Sequence, residues 1–86
     1  MTDGTDNARK VELIAIDGIM SSESGRSFMM SLIEHTGVFT ETFDADTHRH
    51  AKNAGRREIG LHLVRELKEA SFDKYIMMIR EHEDGR

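Results

Sequence analysis

The sequence predicts an all-α protein, a compact bundle of about four helices in which the third is the longest. Three observations carry that prediction. The chain contains no proline, so nothing interrupts a helical hydrogen-bond ladder. Apolar residues recur at spacings of three and four, the period of a helix with one face buried. Asn, Ser, Asp or Gly stands between these periodic runs, where helices start and stop.

Residues 1–7, rich in Gly, Asp, Thr and Asn, are expected to form a disordered tail. Asn7 is the expected N-cap of a first helix over 8–20. Its apolar stripe is Val11, Ile14, Ala15 and Ile19, joined by Leu13 and Ile16. Gly18 weakens its last turn by about 1 kcal/mol relative to alanine. Ser21 and Ser22 offer the next cap, and Glu23 suits the positive N-terminus of a second helix over 23–36. Phe28, Met29, Leu32 and Ile33 are its expected core face, and Gly37 has the character of a left-handed C-cap.

The stretch 38–46 reads as a loop whose Val38, Phe39 and Phe43 tuck under the helices. Asp44 or Asp46 then caps a third helix over 47–69. Its wide apolar face comprises Ala51, Ala54, Leu61, Val64 and Leu67, with Ile59 and Leu63 alongside. Ser71 is the N-cap of a fourth helix, and Asp73 sits in its first turn. Phe72, Tyr75, Ile76 and Ile79 recur at helical spacing, with Met77 and Met78 beside them. Residues 8–82 thus form a single helical domain, and residues 83–86 fray. The methionines Met20, Met29, Met30, Met77 and Met78 read as core filling; Met30 or Met77 alternatively lies on an adaptable contact surface.

Composition narrows the function classes. Eighty-six residues make one domain, and a chain of this length buries roughly 60–65% of its unfolded surface. With 37% apolar and 33% charged residues, it has little stability in reserve. A partner or a second copy would add to it. The absence of cysteine removes disulfides, thiolate metal sites and cysteine nucleophiles. The longest largely apolar stretch, 11–20, contains Glu12 and Asp17 and falls far short of the ~20 apolar residues that span a bilayer. Neither a membrane span nor a standard export signal is expected. The net charge of −4 counts against a dedicated nucleic-acid module. The charge is unevenly spread, however. Residues 48–57 hold Arg49, Lys52, Arg56, Arg57, His48 and His50 without an acid.

No catalytic or cofactor motif stands out. Asp44, Asp46, His48 and His50 alternate as metal ligands would in a strand. On a helix His48 and His50 diverge by about 200°, so capping and solvated side chains explain them better, and no metal is expected. The serines read as caps or lack a histidine, and His35, His62 and His82 are isolated on helices. No phosphate loop, dinucleotide fingerprint, zinc-protease or hydrolase elbow motif occurs. The chain is therefore expected to be a non-enzyme that uses no cofactor.

The third helix carries the most distinctive pattern. Arg49, Lys52 and Arg56 fall on one stripe, with Asn53 and Arg57 flanking. Gly55 and Gly60 each cost about 1 kcal/mol inside a helix, which asks for a reason. With Ala51 and Ala54 they read as small residues admitting a close helix crossing. The basic stripe either pairs acids elsewhere in the chain or grips an acidic partner or phosphates.

Two stretches resemble a known family. One is Gly25-Arg26-Ser27-Phe28, continuing through Leu32-Ile33-Glu34 to Gly37-Val38-Phe39 and Phe43. The other is Asn53-Ala54-Gly55-Arg56-Arg57-Glu58-Ile59-Gly60-Leu61-His62-Leu63. Together they span roughly residues 22–80. They resemble small helical phage proteins encoded among the virion genes of short-tailed and related phages, one of them from a Bordetella podovirus. Ala54 stands where an acid is expected in that family, and Ala51 where a larger residue is common. The resemblance implies a compact helical protein of the particle or its assembly, with no catalytic residues. Arg26, Asn53, Gly55, Arg56, Arg57 and Gly60 would be its signature. In physical terms, Gly55 would admit a crossing of the second and third helices, and Arg26 and Arg56 near it would bind acids or carbonyls.

The expected function is that of a structural or internal virion protein. Its partners would be other virion proteins, with self-association possible, and its location the virion and host cytoplasm. The partner-binding residues are expected to be Arg26, Arg49, Lys52, Asn53, Arg56 and Arg57, with nucleic acid a less favoured partner. The alternatives are a nucleic-acid-binding accessory protein and a host-directed interaction protein.

Overall fold

A computed structural model describes residues 4–39 and 47–85, the side chains at 4, 5, 47–51 and 53 excepted. Four helices follow one another: α1 (Gly4–Met20), α2 (Glu23–His35), α3 (Thr47–Ala70) and α4 (Phe72–Glu83). No strand occurs among the described residues. The molecule measures 50 × 36 × 15 Å along its principal axes. Its short dimension matches about two helix layers, with axes 8–10 Å apart. Phe43, Asp44 and Asp46 lie outside the described residues.

The caps follow elementary hydrogen-bond chemistry. Ser22 accepts from the Gly25 N–H at 3.0 Å, and Ser71 accepts from the Lys74 N–H at 3.4 Å. Each satisfies one donor that a helix start leaves orphaned. Gly37, at φ 74°, ends α2 in the left-handed conformation, and its N–H donates to the Glu34 carbonyl at 3.0 Å. Asn7 is not a cap: α1 begins at Gly4 and already includes it.

The core contains Met20, Met29, Met30, Ile33, Val38, Val64, Leu67, Tyr75 and Met78, with Ile16, Leu63, Ile76 and Ile79 packed against it. Four of the five methionines read as core filling are buried in it, and Met77 is exposed. Two helices present a face other than the one their apolar pattern predicts. In α2 the buried set is Arg26, Met29, Met30 and Ile33, whereas Phe28 is 64% exposed and Leu32 40%. In α1 the stripe of Val11, Ile14, Ala15 and Ile19 faces outward. Met20 is buried instead, with Leu13, Ile16, Arg9 and Asp17 half-buried.

Both inward faces carry charged groups whose partners lie on distant helices, and each such group is paired across the helices at or beside the core. Arg9 Nη1 and Nη2 donate to the Glu66 carboxylate at 2.6 and 2.7 Å, and Nη2 also reaches Glu69 at 2.7 Å. Lys74 Nζ donates to Asp17 Oδ1 at 2.7 Å and to Ser21 Oγ at 2.9 Å. No described buried side-chain polar atom lacks a partner.

Candidate interaction surfaces

The signature residues divide into two groups. Arg26 belongs to the fold. Its Nε and Nη2 donate to the two oxygens of Glu81 at 2.9 and 2.8 Å, and Nη1 donates to the Met20 carbonyl at 3.0 Å. The residue is 8% exposed. The planar guanidinium thus clamps α4 and the end of α1 onto α2, and the Glu81 carboxylate raises its already high pKa. Arg26 was expected to contact a partner. It does hold an acid and a carbonyl, but both belong to its own chain, so it has no fork left for another.

Gly55 and Gly60 also part company. A Cβ at Gly60 would lie 2.8 Å from the Cβ atoms of both Thr36 and Val38 and closer still to the Thr36 hydroxyl. The tight approach of α3 to the end of α2 is therefore made here. Among the described residues a Cβ at Gly55 would meet nothing within 4 Å, so the crossing of α2 and α3 expected at Gly55 is not there. Ala54 is exposed, and the Ala51 side chain lies outside the described residues. A second close approach, unread in the sequence, is at Gly25, where a Cβ would lie 2.9 Å from the Ile19 carbonyl carbon. Its only signal was its place three residues after the Ser22 cap.

The helix α3 falls into two halves. From Gly60 onward, Gly60, Val64 and Leu67 are buried. Before it, every described residue from Ala54 to Ile59 is exposed, as is Lys52. Lys52, Arg56 and Arg57 make no ion pair with any described residue. Arg49 and Asn53, expected on the same surface, have side chains outside the described residues, as do His48 and His50. Ile59, 59% exposed, shares the face of Lys52 and Arg56, because positions four and seven apart fall within an arc of about 60° on a helix.

A groove runs between α2 and α4 as two adjoining depressions of about 530 and 430 Å³ that share Met30, Glu34 and His82. The first contains Glu23, Ser27 and the Arg26–Glu81 pair. The second has an apolar floor of Phe39, Tyr75, Ile76 and Ile79 with Glu34 and Glu83 at its margin. Met30, one of the two methionines considered for a contact surface, lines both parts. Burial raises the Tyr75 pKa, so its hydroxyl stays neutral there. His82 Nε2 lies 3.1 Å from Glu34 Oε2. Among the described residues no three His, Asp or Glu side chains converge on a metal-sized site, and no helix is long and apolar enough to cross a membrane.

Fold and surface together define a small all-helical protein, braced internally by ion pairs, with an exposed basic half-helix and an acidic-edged groove. Residues 17–80, about three quarters of the chain, match the Bbp19-like phage protein family. The chain belongs to that family. The match reaches back into the last turn of α1, beyond the stretch from about residue 22 where the resemblance was read. Comparison with curated proteins and with solved structures finds no match.

Proposed function

We propose that this phage protein is a non-enzymatic structural or internal component of the virion, acting through protein–protein contacts in the particle or its assembly. The carrying observation is the exposure of the first half of α3. Lys52 and residues 54–59 are all exposed, and a helix this polar contributes little stability by itself. A small domain keeps such a segment at a cost, and a partner surface explains it. The exposed large apolar residues Val11, Ile14, Phe28 and Phe72 support the same reading. Scattered exposed apolar groups are ordinary, but Val11 and Ile14 lie on one face of α1.

Mass spectrometry of purified particles tests the proposal. The chain should be present in stoichiometric amounts in the virion as well as in the infected host cytoplasm; absence from particles defeats it. The second reading, nucleic-acid binding, is favoured by Lys52, Arg56 and Arg57 lacking described ion-pair partners. It requires affinity that falls with salt by a log–log slope of about −3 to −4 for three or four phosphate contacts. Undetectable binding at low salt removes it.

A further inference from the structure

We infer that the exposed basic face of α3 in one copy docks into the α2–α4 groove of a second copy, head to tail. The inference rests on reading the first half of α3 as a binding surface. The two surfaces are complementary in chemistry. The arm presents Lys52 and Arg56 followed by Ile59 on one face. The groove presents an apolar floor, Tyr75, Ile76 and Ile79, edged by Glu34 and Glu83. Ile59 seats on the floor while the cations meet the carboxylates, for which an arginine fork is well shaped. Within one chain this contact is not made, since Lys52 and Arg56 pair with no described residue.

The geometry of association follows. Arm and groove are different surfaces, so a docked pair leaves one of each open, and assembly continues into a ring or an open chain. The arm from Lys52 to Ile59 is about 12 Å long. A helix face of that length and about 10 Å wide covers far less than the ~800 Å² per partner of a stable interface, so the contact is weak singly and cumulative in an array. It also screens with salt.

Light scattering and sedimentation of the purified full chain test this, with Arg56→Glu as the arm variant and Glu34→Lys/Glu83→Lys as the groove variant. Circular dichroism confirms that both fold, and Glu83→Lys alone is a milder groove variant that leaves the Glu34–His82 contact in place. At low salt the native chain should exceed the mass of two copies as concentration rises, and return to one copy at high salt. Each variant alone should remain a single copy. An equimolar mixture should regain assembly to two copies or more, because one intact arm meets one intact groove and the two reversed surfaces are again opposite in charge. A native chain that stays single at low salt overturns the inference, as do variants that assemble unaided or a mixture that stays single. Absence from particles would sink the virion role and leave this result standing; failure to assemble would do the reverse.

Discussion

The same substitution made twice in one helix, five residues apart, should have opposite effects. In Gly55→Ala the new methyl group meets nothing within 4 Å among the described residues. An exposed helix interior gains about 1 kcal/mol from glycine to alanine, so the melting temperature should rise by roughly 4–8 °C for a domain of this size. In Gly60→Ala the same backbone gain applies, but the methyl group would sit 2.8 Å from two Cβ atoms, those of Thr36 and Val38. Carbon atoms prefer about 3.5–4.0 Å. The Thr36 hydroxyl donates to the Ile33 carbonyl at the end of α2, so it cannot swing aside without loosening that end. Overpacking of this kind costs about 1–3 kcal/mol, and loss of the hydroxyl bond adds about 1 kcal/mol. The net effect is a destabilisation of roughly 1–3 kcal/mol after the propensity gain is subtracted. Paired thermal and urea unfolding of the two variants and the native chain decides it, with unchanged urea slopes showing that the unfolded state is the same. If Gly60→Ala melts at or above the native temperature, the close approach of α3 to α2 is not where the structure puts it.

Three further outcomes follow from the ion pairs and the exposed arm. Arg26→Ala should cost about 3 kcal/mol, because it removes the two bonds to the mostly buried Glu81 carboxylate and the buried bond to the Met20 carbonyl; Arg26→Met combined with Glu81→Leu should recover most of that in urea unfolding, and no recovery would mean that the pair contributes net stability. Glu66 has its carboxyl pKa held below the usual 4.5 by the Arg9 guanidinium, so its share of stability is present above that value and is lost as pH falls through the lowered one. The native chain should therefore lose stability on acidification below about pH 4.5 more steeply than Arg9→Met, and parallel acid titrations by circular dichroism would contradict this. Arg57→Ala should leave the melting temperature within about 4 °C, the change being no more than about 0.5 kcal/mol at such a surface site, yet weaken capture of the chain by purified phage structural proteins; a larger drop in melting temperature would place Arg57 in the fold.

Much of this architecture is legible in the residues. The helix count, the Ser22 and Ser71 caps, the left-handed Gly37 and the greater length of the third helix all follow from local rules, because each depends on hydrogen bonds and backbone preferences within a few positions. The second half of α3 was legible in part: Leu63, Val64 and Leu67 recur at helical spacing and turn inward, whereas Leu61, read on the same face, is exposed. The faces of α1 and α2 were not. Met29 and Ile33 belong to two overlapping stripes of α2, one completed by Phe28 and Leu32 and the other by Arg26 and Met30. Counting apolar residues favours the first, and the structure chooses the second.

That choice illustrates what local pattern leaves open. A charged residue is inward-facing only if its partner arrives from elsewhere: Glu81 for Arg26, Glu66 and Glu69 for Arg9, Lys74 for Asp17. These pairs join residues more than fifty positions apart, so no periodicity along the chain announces them. The same holds for the glycines. Sequence marks Gly25, Gly55 and Gly60 alike as positions without a side chain, but only the packing of α2 on its neighbours shows where that absence is required. The sequence by itself determined which segments coil and where they stop, because those are short-range matters of backbone and cap. Tertiary structure alone decided which side each helix turns inward and left the basic half of α3 exposed, because desolvation and ion pairing are settled between segments that meet only after folding.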